Sequence, residues 1–276
     1  MRLALGETTY DLTSRALVMG ILNRTRDSFY DHGAYWELDA FYRKAEELVT
    51  AGADLLDVGG VKAGVGPEVT EAEEIDRVAP VVEQLVRRFD LPVSVDTWRA
   101  SVAAECYRAG AVMGNDISGF SDPDYLPAAA RAGAAVVATH IRLRPRVLDP
   151  DPRYHDVVGE VTAYLQQRIA EARAAGVADD RIVIDAGLDL GKTTPQSVLL
   201  LNASPQLAAL GPPLLLAASN KDFLGELFDL PQGQRGEASI AAYSLGICLG
   251  CRVLRVHDVA GARRVRDTLA AVLVAA

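Results

Sequence analysis

Short apolar segments recur along the chain, and eight of them end at or just before a polar residue. The stretches between them carry apolar residues at the spacing of one helix face, as in residues 38–51 and 71–89. The apolar segments alternate little between polar and apolar positions, which is typical of parallel strands buried on both faces. Eight strand-then-helix units predict an α/β fold, a (β/α)8 TIM barrel. A short N-terminal β-hairpin, residues 3–5 and 8–12, is predicted to plug the N-terminal end of the barrel.

The polar residues that follow the strands are candidates for a site, because in this fold the C-terminal strand ends form the active-site mouth. They are Asn23, Asp57, Asp96, Asn115 with Asp116, His140, Asp185, Ser219 and His257. Buried carboxylates and amides need hydrogen-bond partners. Asp96, Asn115 and Asp185 on one mouth therefore suit a flat heterocycle rich in donors and acceptors. A structural role explains each of the three alone, but their coincidence favours a ligand.

Three further segments at the predicted mouth carry groups that bind anions. Residues 23–29, after the first strand, combine an Asn, two Arg and two hydroxyl side chains, which fits either a metal-and-phosphate site or an N-cap cluster. Residues 219–222 follow the seventh strand, where barrel enzymes often bind phosphate at a helix N-terminus. Arg255 and His257 end the eighth strand and suit an anionic leaving group.

Other motifs are less informative about chemistry. Residues 187–193 resemble a phosphate-binding loop but are one residue short of its spacing, so we reject a nucleoside triphosphate site. Cys248 and Cys251 have the spacing of a redox pair, yet they lie in an apolar stretch away from the mouth, which favours plain packing. The loop over residues 142–156 is long and rich in arginine and proline, and it is predicted to be lid-like.

The composition limits the class of protein. The chain has 276 residues, 50% of them hydrophobic, which fits a single domain over residues 1–276. A net charge of -9 without a basic segment argues against nucleic acid or an anionic membrane as partner. No apolar stretch reaches the length of a membrane span, about 18 residues, and the first residues lack the apolar core of a signal peptide. Three cysteines are too few for a disulfide framework, so we expect a cytoplasmic protein.

Together, the strand-end motifs resemble those of dihydropteroate synthases over nearly the whole chain. The matching segments are residues 23–29, 57–60, 95–97, 115–119, 185–192, 219–222 and 255–258. The resemblance implies condensation of 6-hydroxymethyl-7,8-dihydropterin diphosphate with p-aminobenzoate, with release of diphosphate. It implies Mg²⁺ as cofactor and a homodimer formed through late helices.

The resemblance also implies roles for individual residues. The implied pterin-binding residues are Asp96, Asn115, Asp185 and Lys221. The implied diphosphate-binding residues are Asn23, which would act together with Mg²⁺, Arg255 and His257.

The second-substrate side departs from the family pattern. After the second strand, the Thr and Arg of the family's mobile loop are replaced by Ala63 and Gly64. After the seventh strand, the Ser that receives the p-aminobenzoate carboxylate at a helix N-terminus is Asp222. We expect this charge to repel that carboxylate and to compete for the same helix N–H groups. The altered side comprises Ala63, Gly64, Leu190, which replaces a Phe, Ser219 and Asp222.

The combination of an unchanged pterin side and an altered second-substrate side is similar to the pattern of the divergent second dihydropteroate synthase paralogue of actinobacteria. The resemblance to that paralogue implies weak or lost synthase activity. It leaves open a weak dihydropteroate synthase, a non-catalytic pterin-binding protein, and a transferase with a different nucleophile, for example one with a positive charge that Asp222 would attract.

Overall fold

The computed structural model describes residues 1–25 and 36–274, and within these ranges eight parallel strands form a closed barrel. Two antiparallel strands, β1 (Arg2–Leu5) and β2 (Thr8–Asp11), precede it. The barrel strands are β3 (Leu17–Asn23), β4 (Leu55–Gly59), β5 (Val93–Asp96), β6 (Met113–Asp116), β7 (Ala135–Thr139), β8 (Ile182–Asp185), β9 (Leu214–Leu216) and β10 (Cys251–Val256). Each strand pairs with the next along the chain, and β10 pairs with β3 to close the barrel. The predicted (β/α)8 barrel with its hairpin is confirmed.

Helices cover the outside of the barrel. Within the described residues they are α1 (Leu38–Ala51), α2 (Glu71–Arg88), α3 (Ala100–Arg108), α4 (Tyr125–Ala132), α5 (Val157–Ala174), α6 (Thr194–Asn202), α7 (Ser204–Ala208), α8 (Asp222–Phe228), α9 (Gly236–Cys248) and α10 (Val259–Val274). The helices predicted over residues 38–51 and 71–89 are thereby confirmed. The apolar face of α1 buries Phe41 and Leu48, and α2 begins where the Thr70 hydroxyl accepts a backbone N–H. Among the described residues, no helix combines the length and the apolar character needed to cross a bilayer.

The hairpin closes one end of the barrel. An apolar core fills the barrel interior, separate from the larger core between strands and helices. Leu3, Leu5 and Leu12 of the hairpin region belong to the interior core, together with Leu17 and Met19 of β3. The predicted plug is therefore confirmed, and the polar strand ends lie at the opposite end.

The three cysteines are free. Cys251, at the start of β10, is buried with its Sγ 3.8 Å from the hydroxyl of Ser204. Burial raises the pKa of the Cys251 thiol to about 12. A buried, protonated thiol is unreactive, which agrees with the packing role predicted for Cys251, whereas Cys248 is exposed and the packing prediction is wrong for it.

Candidate active site

Polar residues lie side by side across the C-terminal rim of the barrel. Asn23 pairs across the strands with Gly59, and Gly59 pairs in turn with Asp96. Asp96 pairs with Asn115 on the next strand, and Asp185 ends β8 on the same rim. Because parallel strands end at one edge, the strand-end residues predicted from the sequence are brought together here.

Arg255 lies between two carboxylates at the centre of this rim. Its Nε donates to Asp57 Oδ2 at 2.6 Å, and its Nη2 donates to Asp96 Oδ2 at 2.6 Å. The amide of Asn115 donates to the same Asp57 oxygen at 3.0 Å. Burial raises the pKa of Asp96 to about 7 against the opposing effect of Arg255, and Asp57 adds to the rise. One guanidinium facing two carboxylates leaves an excess of negative charge, which suits a ligand that brings hydrogen-bond donors.

Asp185 and Lys221 face the rim from the following strands. Asp185 is buried, and its Oδ1 accepts the N–H of Gly187 at 2.8 Å. Burial raises the pKa of this carboxyl, while the Gly187 N–H and the charge of Lys221 lower it. Lys221 is half-buried and immediately precedes α8. The two side chains therefore offer an acceptor and a cation to one ligand.

A tight turn over residues 187–192 supports Asp185. Gly187 has φ 65°, and a Cβ there would lie 1.9 Å from the carbonyl oxygen of His140. The buried ammonium of Lys192 donates to the carbonyl oxygens of Gly187 at 2.8 Å and Leu190 at 3.0 Å. It also lies 2.9 Å from His140 Nδ1, and burial lowers the pKa of Lys192 to about 7. Because the turn itself engages this amine, Lys192 holds the backbone in place and is not free to bind phosphate.

His257 follows β10 and is held by Ser219, which follows β9. The Ser219 hydroxyl accepts the backbone N–H of His257 at 3.1 Å and lies 2.9 Å from its Nδ1. Burial, followed by the charge of Arg255, lowers the pKa of His257 to about 3. The imidazole is therefore neutral at pH 7, and an anion bound beside it would favour protonation. Ser219, which we predicted on the second-substrate side, thus orients His257, which we predicted to bind diphosphate.

The motif over residues 23–29 is only partly described by the structure. Asn23 lies on the rim at the end of β3. The Arg24 guanidinium donates to the carbonyl oxygen of Arg77 at 2.7 Å, so it is engaged by α2 instead of by the rim. Residues 26–29 of the motif lie outside the described residues.

In the described part of the rim, the side chains near Asn23 do not form a complete metal site by themselves. Among the described residues, no group of three or more His, Cys, Asp or Glu side chains could hold a metal ion. Asp57 and Asp96, the carboxylates on this side of the rim, are paired with Arg255. The amide oxygen of Asn23 is an acceptable Mg²⁺ ligand, and Mg²⁺ commonly keeps waters and substrate phosphates as its other ligands.

The loop after β4 is tied to the Arg-rich loop after β7. The carbonyl oxygen of Ala63 accepts the backbone N–H of Arg146 at 3.0 Å. The guanidinium of Arg146 donates to the carbonyl oxygen of Pro67 at 2.5 Å. Ala63, Gly64 and Leu190 line a cavity of about 210 Å³ beside these contacts. Three of the five positions predicted to form an altered second-substrate side, Ala63, Gly64 and Leu190, are therefore close together in space.

Asp189, and not Asp222, accepts an N–H group at the start of α8. Its Oδ2 accepts the Phe223 N–H at 3.3 Å, and its Oδ1 accepts a hydrogen bond from Ser197 Oγ at 3.2 Å. Asp222 is exposed and pairs with Arg235 at 2.7 Å. The structure differs here from the sequence expectation, because the Asp222 carboxylate is drawn outward to a guanidinium thirteen residues away.

Comparison with known proteins identifies the family. The profile of a family described as "Pterin binding enzyme" matches residues 19–257. The dihydropteroate synthase of Synechocystis sp. is 38% identical over 260 residues, which cover 93% of this chain and 90% of that protein. The chain belongs to the dihydropteroate synthase family. The "Inactive dihydropteroate synthase 2" of Mycobacterium tuberculosis H37Rv is 41% identical over 264 residues, covering 94% of this chain and 83% of that protein.

The structural comparison agrees with this assignment. The dihydropteroate synthase of Yersinia pestis in a sulfonamide drug complex has a TM-score of 0.95 and 38% identity, with 100% of both chains covered. Proteins named as synthases and proteins named as inactive are similar to this chain to the same degree. Activity in this family therefore depends on individual site residues and not on overall similarity.

Asp189 is the site residue that the sequence interpretation missed. In the motif resemblance over residues 185–192, Asp189 stands where the dihydropteroate synthase pattern has Gly. Asp189 has φ 65°, a left-handed conformation that suits Gly and that Asp tolerates. Burial raises the pKa of its carboxyl, while Lys221 lowers it. The signal that could have identified Asp189 from the sequence is a charged residue at a position where the family motif has glycine.

Proposed function

We propose that this protein binds 6-hydroxymethyl-7,8-dihydropterin diphosphate and that its condensation with p-aminobenzoate is weak or lost. The observation that carries the proposal is the contrast between the two sides of the site. On the pterin side, Arg255 connects Asp57 and Asp96, and Asn115 joins the same network. On the second-substrate side, the carboxylate of Asp189 holds the Phe223 N–H at the start of α8.

The pterin side offers the hydrogen-bonding groups that a pterin edge needs. Asp185 supplies a buried carboxylate for ring and amino N–H groups, and Asn115 supplies an amide. Hydrogen bonds to a charged acceptor are about twice as strong as neutral ones. The dihydropteroate synthase of Xanthomonas albilineans in complex with 7,8-dihydropteroate has a TM-score of 0.85 at 37% identity to this chain. That likeness supports a pterin site at this rim.

The neighbouring cations suit the departing diphosphate. Arg255 is fixed by its two ion pairs, so it needs little reorganisation to meet a negative charge that develops nearby. His257 is neutral in the free protein and would donate a hydrogen bond or take up a proton once diphosphate is bound. Asn23 would hold Mg²⁺, which supplies further stabilisation of the leaving diphosphate.

The second-substrate side is poorly suited to p-aminobenzoate. In the family, a helix N-terminus receives the p-aminobenzoate carboxylate, and a loop Thr and Arg close over the site. Here Asp189 places its own carboxylate on that helix N–H, and Ala63 and Gly64 lack the loop chemistry. Repulsion between two carboxylates and the lost contacts both weaken productive binding.

A non-catalytic pterin-binding role is the second candidate function. The same Asp189 contact favours it, because one N–H at the start of α8 already donates to a carboxylate whose charge opposes the acceptor carboxylate. The structure gives less support to a transferase with a cationic nucleophile. The Asp222 charge that would attract such a nucleophile is paired with Arg235.

We also propose a cytoplasmic homodimer formed through the late helices. Phe228 of α8 is 63% exposed, and Leu227 and Leu245 are exposed on α8 and α9. Exposed apolar side chains of this kind often mark an interface, and the free cysteines suit a reducing compartment. Sedimentation velocity would reveal a dimer, whereas a monomer at all concentrations would contradict this assembly.

The proposed function is tested by measuring binding and turnover on one preparation. Calorimetric titration with dihydropterin diphosphate and Mg²⁺ is expected to show saturable binding. Formation of dihydropteroate is expected to be at least about 100-fold slower than with the Synechocystis relative, assayed in parallel as the positive control. A rate close to that of the control would contradict weak or lost activity. Absence of pterin diphosphate binding would contradict the whole proposal.

A further inference from the structure

A buried cluster around Lys192 and His140 lies next to Asp185 of the pterin side. Lys192 is 7% exposed and His140 is 5% exposed. The ammonium has three protons, and three acceptors lie 2.8–3.0 Å from it: the carbonyl oxygens of Gly187 and Leu190, and His140 Nδ1. The carbonyl oxygen of His140 follows at 3.3 Å. Because all of these partners are neutral, Lys192 is a fully hydrogen-bonded buried cation whose charge they do not compensate.

His140 is held in the neutral form that accepts this hydrogen bond. Its ring makes an edge contact with the ring of Tyr164, with 4.8 Å between centroids, and lies 6.1 Å from the ring of Tyr154. Burial, followed by the charge of Lys192, lowers the pKa of His140 to about 3. At pH 7 the imidazole is therefore neutral, and its Nδ1 accepts a proton of Lys192. His140, a strand-end candidate in the sequence, is thus a partner of Lys192.

Gly187 connects this cation to the Asp185 carboxylate. The Gly187 N–H donates to Asp185 Oδ1 at 2.8 Å, and the Gly187 carbonyl oxygen accepts from Lys192 at 2.8 Å. The backbone N–H of His140 donates to the carbonyl oxygen of Asp185 at 2.9 Å. The cluster therefore fixes both the carboxylate and the main chain of Asp185.

Asp185 and Lys192 also influence each other's charge. Burial raises the pKa of the carboxyl, while a backbone N–H and three cations, Lys221, Lys192 and Arg255, lower it. Burial lowers the pKa of Lys192 to about 7, and the charge of Lys221 adds to that effect. Asp185 and, less strongly, Asp189 act in the opposite direction. The largest opposite charge acting on Lys192 is therefore that of Asp185, and each group favours the charged form of the other.

We propose that Lys192 is a positioning residue for pterin binding, whose ammonium, held by His140, fixes the direction and the negative charge of the Asp185 carboxylate. The inference rests on the proposed function, in which Asp185 accepts N–H groups of the pterin. An ionised carboxylate in a fixed position binds such donors more strongly than one that must first turn or lose a proton. Because the ammonium is occupied by its own acceptors, its effect passes through Asp185.

NMR titration of the Asp185 carboxyl group tests the proposal without pterin, on the full chain with isotope-labelled aspartate and the signal assigned from Asp185→Asn. In the wild type, the Asp185 curve should show a second inflection where Lys192 loses its proton, near pH 7. Lys192→Gln removes the charge and keeps two N–H donors for the Gly187 and Leu190 carbonyls. This variant should raise the pKa of Asp185, because no cation at this place favours the ionised form. The wild-type curve holds whether or not the variant folds, and a curve without the second inflection would overturn the proposal.

Calorimetric titration with dihydropterin diphosphate and Mg²⁺ measures the consequence for binding. At pH 7, Lys192→Gln should bind at least about tenfold more weakly than the wild type. The loss should grow as the pH falls, since a carboxyl with a raised pKa takes up its proton at a higher pH. Tyr154→Phe is the matched control, because it removes a hydrogen bond of 2.8 Å to the Gly191 carbonyl oxygen, in the same turn, without a change of charge. This variant should bind as the wild type does at every pH.

The outcomes separate this proposal from the proposed function. Equal affinity of Lys192→Gln and the wild type at every pH, or equal losses in the Lys192 and Tyr154 variants, would overturn the role of Lys192. Absence of pterin diphosphate binding by the wild type would overturn the proposed function. The NMR titration would then still decide whether Lys192 sets the charge of Asp185.

Discussion

Replacement of Asp189 by Gly removes the carboxylate that occupies the start of α8. The left-handed backbone at this position, φ 65°, accommodates Gly without strain. The variant loses the hydrogen bonds to Phe223 N–H and from Ser197 Oγ, which contribute about 1 kcal/mol each. We therefore expect a folded protein whose free energy of unfolding is lower by about 1–2 kcal/mol.

The gain in synthase activity expected for Asp189→Gly can be estimated from Coulomb's law. Two carboxylates about 6 Å apart repel by about 3 kcal/mol at an effective dielectric constant of about 20. Solvent screening reduces this figure, so we expect kcat/KM for p-aminobenzoate to rise about 10- to 100-fold in Asp189→Gly. Steady-state dihydropteroate formation at saturating pterin diphosphate measures this rise in kcat/KM. Most of the rise should appear as a lower KM for p-aminobenzoate.

Two further variants distinguish the effect of the Asp189 charge from the effect of the size of its side chain. Asp189→Asn removes the charge but keeps the size, and it should recover most of the gain if repulsion dominates. Asp222→Ser removes an equal charge from the first residue of α8. It should have little effect, because Asp222 is exposed and paired with Arg235. An increase with Asp222→Ser and none with Asp189→Gly would refute this reasoning.

Three further predictions concern the rim and its supporting turn. Gly187→Ala should lower the free energy of unfolding by at least about 3 kcal/mol in urea, because its Cβ would meet the His140 carbonyl at 1.9 Å. Gly133→Ala, at a similar φ with nothing within 4 Å, should cost only about 1 kcal/mol, and equal costs would argue against the collision. Folding raises the pKa of Asp96 from 3.8 to about 7. Protonated Asp96 therefore makes its full contribution to the free energy of unfolding below pH 4, and this contribution is lost as the pH rises through 7. Urea denaturation should show that loss, on the order of 1–3 kcal/mol, in the wild type and not in Asp96→Asn, and parallel pH profiles would contradict it. Ser219→Ala should weaken diphosphate binding about threefold to tenfold in calorimetry, because Ser219 orients His257, and unchanged affinity would show that this contact does not matter.

Much of the fold was predictable because local patterns encode it. The apolar segments of parallel strands and the periodic faces of α1 and α2 are properties of neighbouring residues. The strands and helices predicted from them were correct. The hairpin plug was also predictable. The apolar residues of 3–5 and 8–12 precede the first barrel strand, so the N-terminal end of the barrel is the surface nearest to them along the chain. Strand-end positions of Asp96, Asn115 and Asp185 followed from the fold alone.

The contacts that decide the chemistry were not predictable in the same way. Arg255 pairs with Asp57 across 198 residues, and no local pattern reports such a partner. Asp222 was expected to act on its own helix, but Arg235 draws it outward. The role of Asp189 depends on a left-handed backbone and on the Phe223 N–H, both of which only the folded chain reveals.

The central claim is that the strand-end rim binds pterin diphosphate independently of the altered second-substrate side. Calorimetric titration of dihydropterin diphosphate with Mg²⁺ into the wild type, Asp185→Asn and Asp189→Asn tests it most directly. We predict that Asp185→Asn binds at least about 10- to 100-fold more weakly, since it loses a charge-assisted contact. Asp189→Asn should bind as the wild type does. Equal affinity in the wild type and Asp185→Asn, or no binding by the wild type, would contradict the account.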